Sequence, residues 1–152
     1  MNKLYIQKQA LGIHGMVLIR KTNDFSKIRD IRIENFKHLK LSNNDIFDED
    51  DQALDQFLII HDDKIVGSFR LREINSFYKI ERMGILPFCR SKGFGRLALN
   101  EIQMFSKNKG KSKIILDSIY DARNFYAKSG FIQTGEVYFK AGVPHVSMYL
   151  EL

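Results

Sequence analysis

The sequence predicts an α/β fold in which a mixed sheet is flanked by helices. Strand-like and helix-like runs follow one another in the order β-α-β-β-β-α-β-α-β-β, which is typical of layered sheet-and-helix domains. The chain has 152 residues, of which 44% are hydrophobic, enough for one sizeable core. No repeat, low-complexity tract or linker divides it, so we expect a single domain over residues 1–152.

The first half of the chain predicts a strand, a helix and a hairpin. Ile28 and Ile31 have helical spacing, and Asp24 before them is a candidate N-cap. Asp62-Asp63 lies between two apolar runs, which indicates a hairpin turn. In chain order we expect a strand at 16–21, a helix at 25–39, an acidic loop at 43–52, and hairpin strands at 57–60 and 64–71, with residues 1–15 unassigned.

The second half predicts two helices and four strands. Gly130 follows a short helical run, where a left-handed C-terminal cap commonly falls. Ala141-Gly142 separates the last two strand-like runs and predicts a turn. In order we expect a strand at 78–86, a helix at 93–109, a strand at 113–116, a helix at 121–129, and strands at 131–139 and 145–150.

Six residues at the junction of strand 78–86 and the following helix carry the main functional signal. They read R-S-K-G-F-G over positions 90–95. Glycines there let the backbone approach a ligand closely, and the N–H groups and dipole of a helix start favour an anion. The junction therefore predicts a pocket for a phosphate or pyrophosphate.

The charge and composition limit the kinds of partner that we expect the protein to bind. The net charge is +6, with acids concentrated over 45–63 and bases over 64–113, which indicates either steering of anionic ligands or a solvated surface. No stretch is apolar enough for a membrane helix, and residues 1–10 lack a secretory apolar core. The sequence has neither an Arg-rich helix nor a zinc motif, features that would indicate nucleic-acid binding. We expect neither a nucleic-acid nor a membrane partner.

Cysteine and histidine usage points to a cytoplasmic protein without a metal. The single Cys89 excludes an internal disulfide and fits a reducing compartment. The four histidines are scattered and show no metal-ligand spacing. The sequence is compatible with a homodimer but does not set the oligomeric state.

Three motifs, in order, resemble the GNAT acyl-CoA N-acyltransferases. They are I-E-R-M-G-I-L-P at 80–87 leading into the hexad, A-R-N-F-Y-A-K-S-G-F at 122–131, and G-E-V-Y-F-K-A-G-V-P-H-V-S-M at 135–148, which is similar to the ElaA-like branch. The resemblance implies a GNAT-like, mostly antiparallel central sheet. It also implies transfer of an acetyl group from acetyl-CoA to a primary amine of a small molecule or peptide by direct attack.

The resemblance also implies a set of cofactor contacts. Met83 and Ile85 would offer backbone groups to the pantetheine arm, and the pyrophosphate would lie on the N–H groups of the hexad and the residue after it. The residues so implicated are Arg90, Ser91, Lys92, Gly93, Phe94, Gly95 and Arg96.

Acyl transfer to an amine needs a neutral nucleophile and a proton for the leaving thiolate. By resemblance Tyr126 supplies that proton; otherwise it is an aromatic that packs a short helix onto the sheet. Glu81 is the candidate base, because strand alternation places it on one face with Met83 and Ile85. Alternatively it is a carboxylate paired with a basic residue nearby. Phe125 and Phe131 are assigned to the core.

Several residues keep two interpretations open. His145 and Glu136 either line the acceptor pocket or are structural, and the acidic stretch 48–55 either attracts a cationic amine or is a solvated loop. Ser118-Ile119 stands where the ElaA-like branch often has an A-Q pair, so one cofactor contact is lost unless Tyr120 or Asn124 replaces it. A catalytically idle acyl-CoA-binding regulatory domain is therefore the alternative function. Ser91 replaces a common glycine, which is tolerable only if its φ is not positive.

Overall fold

In the computed structural model of the protein, residues 3–4 and 15–152 are described. The strands are β1 (Lys3–Leu4), β2 (Val17–Thr22), β3 (Asp55–His61), β4 (Lys64–Ile74), β5 (Phe77–Ile85), β6 (Lys113–Ile119), β7 (Ile132–Lys140) and β8 (Val143–Glu151). The helices are α1 (Phe25–Phe36), α2 (Asn43–Ile46), α3 (Phe94–Asn108) and α4 (Arg123–Ala127). Short 3-10 turns lie at Lys37–Leu39, Glu49–Gln52, Pro87–Cys89 and Tyr120–Ala122.

The strands form one mixed sheet in the order β1-β2-β3-β4-β5-β6-β8-β7. β5 and β6 run parallel, whereas β1 with β2, β2 with β3, β6 with β8, and β7 with β8 are antiparallel. Helix α3 is the crossover that connects the parallel pair. The predicted α/β fold, with a mixed and mostly antiparallel sheet, is confirmed.

Two compact units are distinguished along the chain. The first comprises the described residues up to 70 together with 82–98. Its core is built by α1 on β3, where Ile28 packs against Leu58 and Ile60. On the other face of β3 the ring of Phe57 stacks on Phe69 of β4 at 4.9 Å between centroids.

The second unit comprises residues 71–81 and 99–152. Tyr78 of β5 stacks on Phe105 of α3 at 5.6 Å between ring centroids. β6 and β8 bury apolar side chains at alternate positions, as strands do when one face is covered. These side chains are Ile114, Leu116, Val146 and Met148.

The predicted turns are confirmed by their backbone conformation. Asp62 and Asp63 have φ of 46° and 65° between β3 and β4. Ala141 and Gly142 have φ of 51° and 74° between β7 and β8, and Gly130 after α4 has φ of 95°. Positive φ at both central positions matches the right-handed twist of hairpin strands.

The region after β2 differs from prediction in two places. The helix predicted to Leu39 ends at Phe36 and continues as a 3-10 turn. The predicted acidic loop 43–52 instead holds α2 and a second 3-10 turn, each begun by a capping box, Ser42 with Asp45 and Asp48 with Asp51. Short side-chain oxygens satisfy the first N–H groups of each turn, which explains why this acidic stretch is ordered.

Residues 1–15 carry one described strand. Lys3–Leu4 pairs with Ile19 and Arg20 of β2. The expectation of no secretory signal concerns residues 1–10, of which all but Lys3 and Leu4 lie outside the described residues. In the part of the chain that is described, no helix has the length and apolar character needed to span a membrane.

Candidate active site

The strand before the hexad leaves its neighbour partway along. The β5–β6 ladder runs from Phe77↔Lys113 to Ile80↔Leu116 and ends there. β6 continues to Ile119 in register with β8, and β5 continues to Ile85. A strand that continues past its ladder can pair its backbone with an extended ligand.

A backbone irregularity follows immediately at Arg82, whose φ is 53°. A left-handed residue inside a strand marks a β-bulge, at which the alternation of faces changes. The predicted alternation that placed Glu81 on one face with Met83 and Ile85 is therefore interrupted. The Arg82 guanidinium donates from Nε to the Ile46 carbonyl at 3.0 Å.

The hexad turns the chain sharply into α3. Ser91 has φ of 60° and Gly93 has φ of 94°, so Ser91 does need the positive φ that a glycine would adopt at lower cost. Leu97 N–H donates to the Gly93 carbonyl at 3.0 Å as the first helical hydrogen bond. The N–H groups of residues 94–96 precede that bond, and Gly93 has no side chain to cap them. This helix start has the character of an anion site.

The side chains of the hexad have different surroundings. Phe94 is buried and its ring lies 4.9 Å from that of His61, so only its backbone remains for a ligand. Ser91, Lys92 and Arg96 are exposed. Arg90 donates from Nε to the Ile85 carbonyl at 2.9 Å and from Nη2 to the Asn35 carbonyl at 3.4 Å. The Ile85 carbonyl is thus already engaged by the protein.

Asn35 was missed by the sequence reasoning. It lies on α1 in the stripe of Ile28 and Ile31, at a position where a polar residue among apolar ones was the available signal. Its side chain is 1% exposed. It packs against Gly84, where an added Cβ would lie 2.8 Å from Asn35 Nδ2 and 2.9 Å from its Cγ.

Charged side chains in the same unit, most of them buried, form a network between α1, β4, β5 and the acidic stretch. Asp51 lies 2.8 Å from both Arg32 and Arg70, and Asp48 lies 2.8 Å from Arg70 and 3.3 Å from Arg82. The hydrogen bond from Arg70 lowers the pKa of Asp48 to about 2. Because Asp48 and Asp51 are held by arginines, they are poor candidates for attracting a cationic amine.

In the second unit, Tyr126 is buried on α4 at 9% exposure. Its ring makes edge contacts with Phe125 at 4.9 Å and Phe131 at 5.9 Å. Burial raises the pKa of Tyr126 to about 12, so the hydroxyl keeps its proton at neutral pH. Phe131 is in the core as expected, whereas Phe125 is 37% exposed and its assignment to the core was wrong.

Glu81, on β5, is also in the second unit. Its side chain is 11% exposed, and Oε1 accepts a hydrogen bond from Arg72 Nε at 2.8 Å. The Arg72 guanidinium thus holds the carboxylate in an ion pair, as the alternative interpretation anticipated.

Polar side chains on β5, β6 and β8 form hydrogen bonds and an ion pair in the second unit. Asp117 accepts from Ser147 at 2.9 Å and pairs with Lys79 at 2.9 Å. Burial alone would raise the pKa of Asp117, but these hydrogen bonds outweigh burial and lower it. His145 Nδ1 lies 2.7 Å from the Val143 carbonyl, which favours a structural role. Ser118 Oγ donates to the Ile119 carbonyl at 2.7 Å.

Comparison with known proteins identifies the family. Residues 26–152 match the model described as acetyltransferase (GNAT) domain, so the chain belongs to the GNAT acetyltransferase family. The uncharacterized protein YyaT of Bacillus subtilis is 31% identical over 115 residues, which cover 74% of this chain and 78% of YyaT. The predicted family and enzyme class are confirmed.

Solved structures show the same fold at low identity. Escherichia coli ElaA has a TM-score of 0.76 and 20% identity, covering 88% of this chain and 99% of ElaA. A GNAT family acetyltransferase from Elizabethkingia anophelis, solved with acetyl-CoA bound, has a TM-score of 0.71 and 17% identity, covering 90% and 98%. At such identities the likeness concerns the fold alone.

Proposed function

We propose that this protein is an N-acetyltransferase that moves an acetyl group from acetyl-CoA to a primary amine of a small molecule or peptide. The observation that carries the proposal is the course of residues 80–96. β5 leaves β6 after Ile80, bulges at Arg82, and runs into the start of α3, where Gly93 at the N-cap position has no side chain of its own. An extended arm that ends in a pyrophosphate matches this course, and the relative from Elizabethkingia anophelis was solved with acetyl-CoA bound.

The cofactor contacts follow from that placement. The pantetheine arm pairs with the β5 backbone at Met83 and Ile85. Because the Ile85 carbonyl already accepts from Arg90, we assign the contact at that residue to its N–H. The pyrophosphate lies on the N–H groups at 94–96, and the exposed Lys92 and Arg96 screen its charge.

In the proposed reaction, the neutral amine attacks the thioester carbonyl and the C–S bond then breaks. Tyr126 gives its hydroxyl proton to the leaving thiolate. Because burial raises the pKa of Tyr126 to about 12, the hydroxyl is protonated at neutral pH when the thiolate leaves. Glu81 takes the proton that the amine loses, through water. The ion pair with Arg72 orients the Glu81 carboxylate for this step.

Release of the CoA thiol from acetyl-CoA, measured over a panel of amines, tests the proposal. Tyr126→Phe should lower the rate by about a hundredfold, the lower end of the effect of a general acid, without lowering the melting temperature. Tyr149→Phe is the matched control, because it removes a hydroxyl from β8 and should leave the rate unchanged. An unaltered rate in Tyr126→Phe would remove that residue from the mechanism.

A catalytically idle acyl-CoA-binding domain is the alternative. It is favoured by Ile119, which offers no side-chain amide at the end of β6, and by the engagement of Glu81 with Arg72. Acetyl-CoA that raises the melting temperature without turnover on any amine would establish it.

A further inference from the structure

The Asn35 side chain is a buried amide whose hydrogen-bonding groups are unused. Neither Oδ1 nor Nδ2 has a partner among the described residues, although the residue is 1% exposed. An unpaired buried polar group costs about 1–3 kcal/mol, so proteins rarely keep one without a function. A leucine of similar shape would satisfy the apolar stripe of α1 without that cost.

The position of this amide is fixed by the backbone around it. Arg90 holds the Asn35 and Ile85 carbonyls with one guanidinium, which ties the end of α1 to the end of β5. Gly84 lies in β5 against α1, and an added Cβ would meet three atoms of Asn35 within 2.9 Å. The unused amide thus lies against the backbone between Met83 and Ile85.

We propose that the Asn35 amide binds the pantetheine arm of the acyl-CoA, which makes it a cofactor-binding residue on α1. This inference rests on the proposed function, because it takes the β5 backbone at 83–85 as the track of the arm. It adds a side-chain contact to the backbone contacts expected there.

The hydrogen-bonding groups of the Asn35 amide match those of the pantetheine arm better than those of the amine substrate. Asn35 offers one acceptor and two donors, and an amide of the pantetheine arm offers the complementary donor and acceptor. A protonated amine has donors only and would leave Nδ2 unpaired.

Two ligands separate this contact from the phosphate site. Acetyl-CoA has the arm, and 3′-phosphoadenosine 5′-diphosphate has the nucleotide and pyrophosphate without it. In Asn35→Leu the Kd for acetyl-CoA should rise about tenfold, as expected for one or two lost hydrogen bonds, while the Kd for the nucleotide stays unchanged. Calorimetric titration of both ligands into wild type and variant measures this.

Each other outcome is decisive. An unchanged Kd for acetyl-CoA, or an equal loss for both ligands, would overturn the Asn35 contact. Failure of wild type to bind either ligand would instead overturn the proposed function. If Asn35→Leu does not fold, Asn35→Asp, which keeps the shape but loses both N–H donors, must show the same selective loss.

Discussion

Two polar regions of the first unit differ in whether their groups are paired within the protein. The arginine–aspartate network joins Arg32, Asp51, Arg70, Asp48 and Arg82 through short ion pairs. The Asn35 amide, on the same helix as Arg32, has no partner among the described residues. The network has the character of a structural element, because its charges are paired with one another. The amide has the character of a binding element, because its acceptor and donors are unused among the described residues.

The largest effect should come from breaking the network. Asp51→Ala leaves the buried guanidinium groups of Arg32 and Arg70 with less compensation, and removing one member of a buried ion pair costs about 3–5 kcal/mol. Chemical denaturation measures the loss in the free energy of unfolding. Asp30→Ala removes the same charge from an exposed position on α1 and should change it by less than about 0.5 kcal/mol. Equal effects of the two variants would show that the network is not structural.

The next effect tests the contact at Gly84. Gly84→Ala forces a methyl group against Asn35 and should cost about 1–3 kcal/mol, as overpacking does. In an Asn35→Ala background two of the three closest atoms, Nδ2 and Cγ, are gone, so the cost should shrink. The same cost in both backgrounds would contradict the described packing of the amide.

The smallest expected effect on stability concerns the backbone strain at Ser91, in the segment proposed to bind the ligand. Ser91→Gly should raise the stability by up to about 1 kcal/mol, because glycine adopts the φ of 60° without a Cβ penalty. Ser91→Ala keeps the strain and should give no gain. Thermal unfolding of both variants provides the measurement, and a loss of stability in Ser91→Gly would mean that the serine side chain itself stabilises the loop.

The features that were predicted from the sequence are those that depend only on residues adjacent in the chain. The turns at Asp62-Asp63 and Ala141-Gly142 and the α3 start need only local chemistry, and these are where they were expected. The network could not be predicted, since Arg32 and Asp51 are 19 residues apart and the pairing depends on how α1 packs.

The bulge and the amide illustrate two further limits. Arginine has no preference for positive φ, so the sequence did not predict a break at Arg82 in the alternation of β5. Asn35 did carry a signal, a polar residue in an apolar helix stripe, but its meaning required the unpaired state seen in the fold. Roles for Tyr126 and Glu81 stay predictions, which the kinetic experiment addresses.

We propose that the segment from Arg82 to the start of α3 holds acyl-CoA. Charge reversal at the two ends of α3 tests this claim most directly. Arg96 and Lys107 are both exposed, in the first and last turns of α3. Arg96→Glu should raise the Kd for acetyl-CoA about tenfold, because a carboxylate there repels the pyrophosphate. Lys107→Glu, with the same charge change, should leave it as in wild type. Equal Kd values for the two variants would contradict the claim.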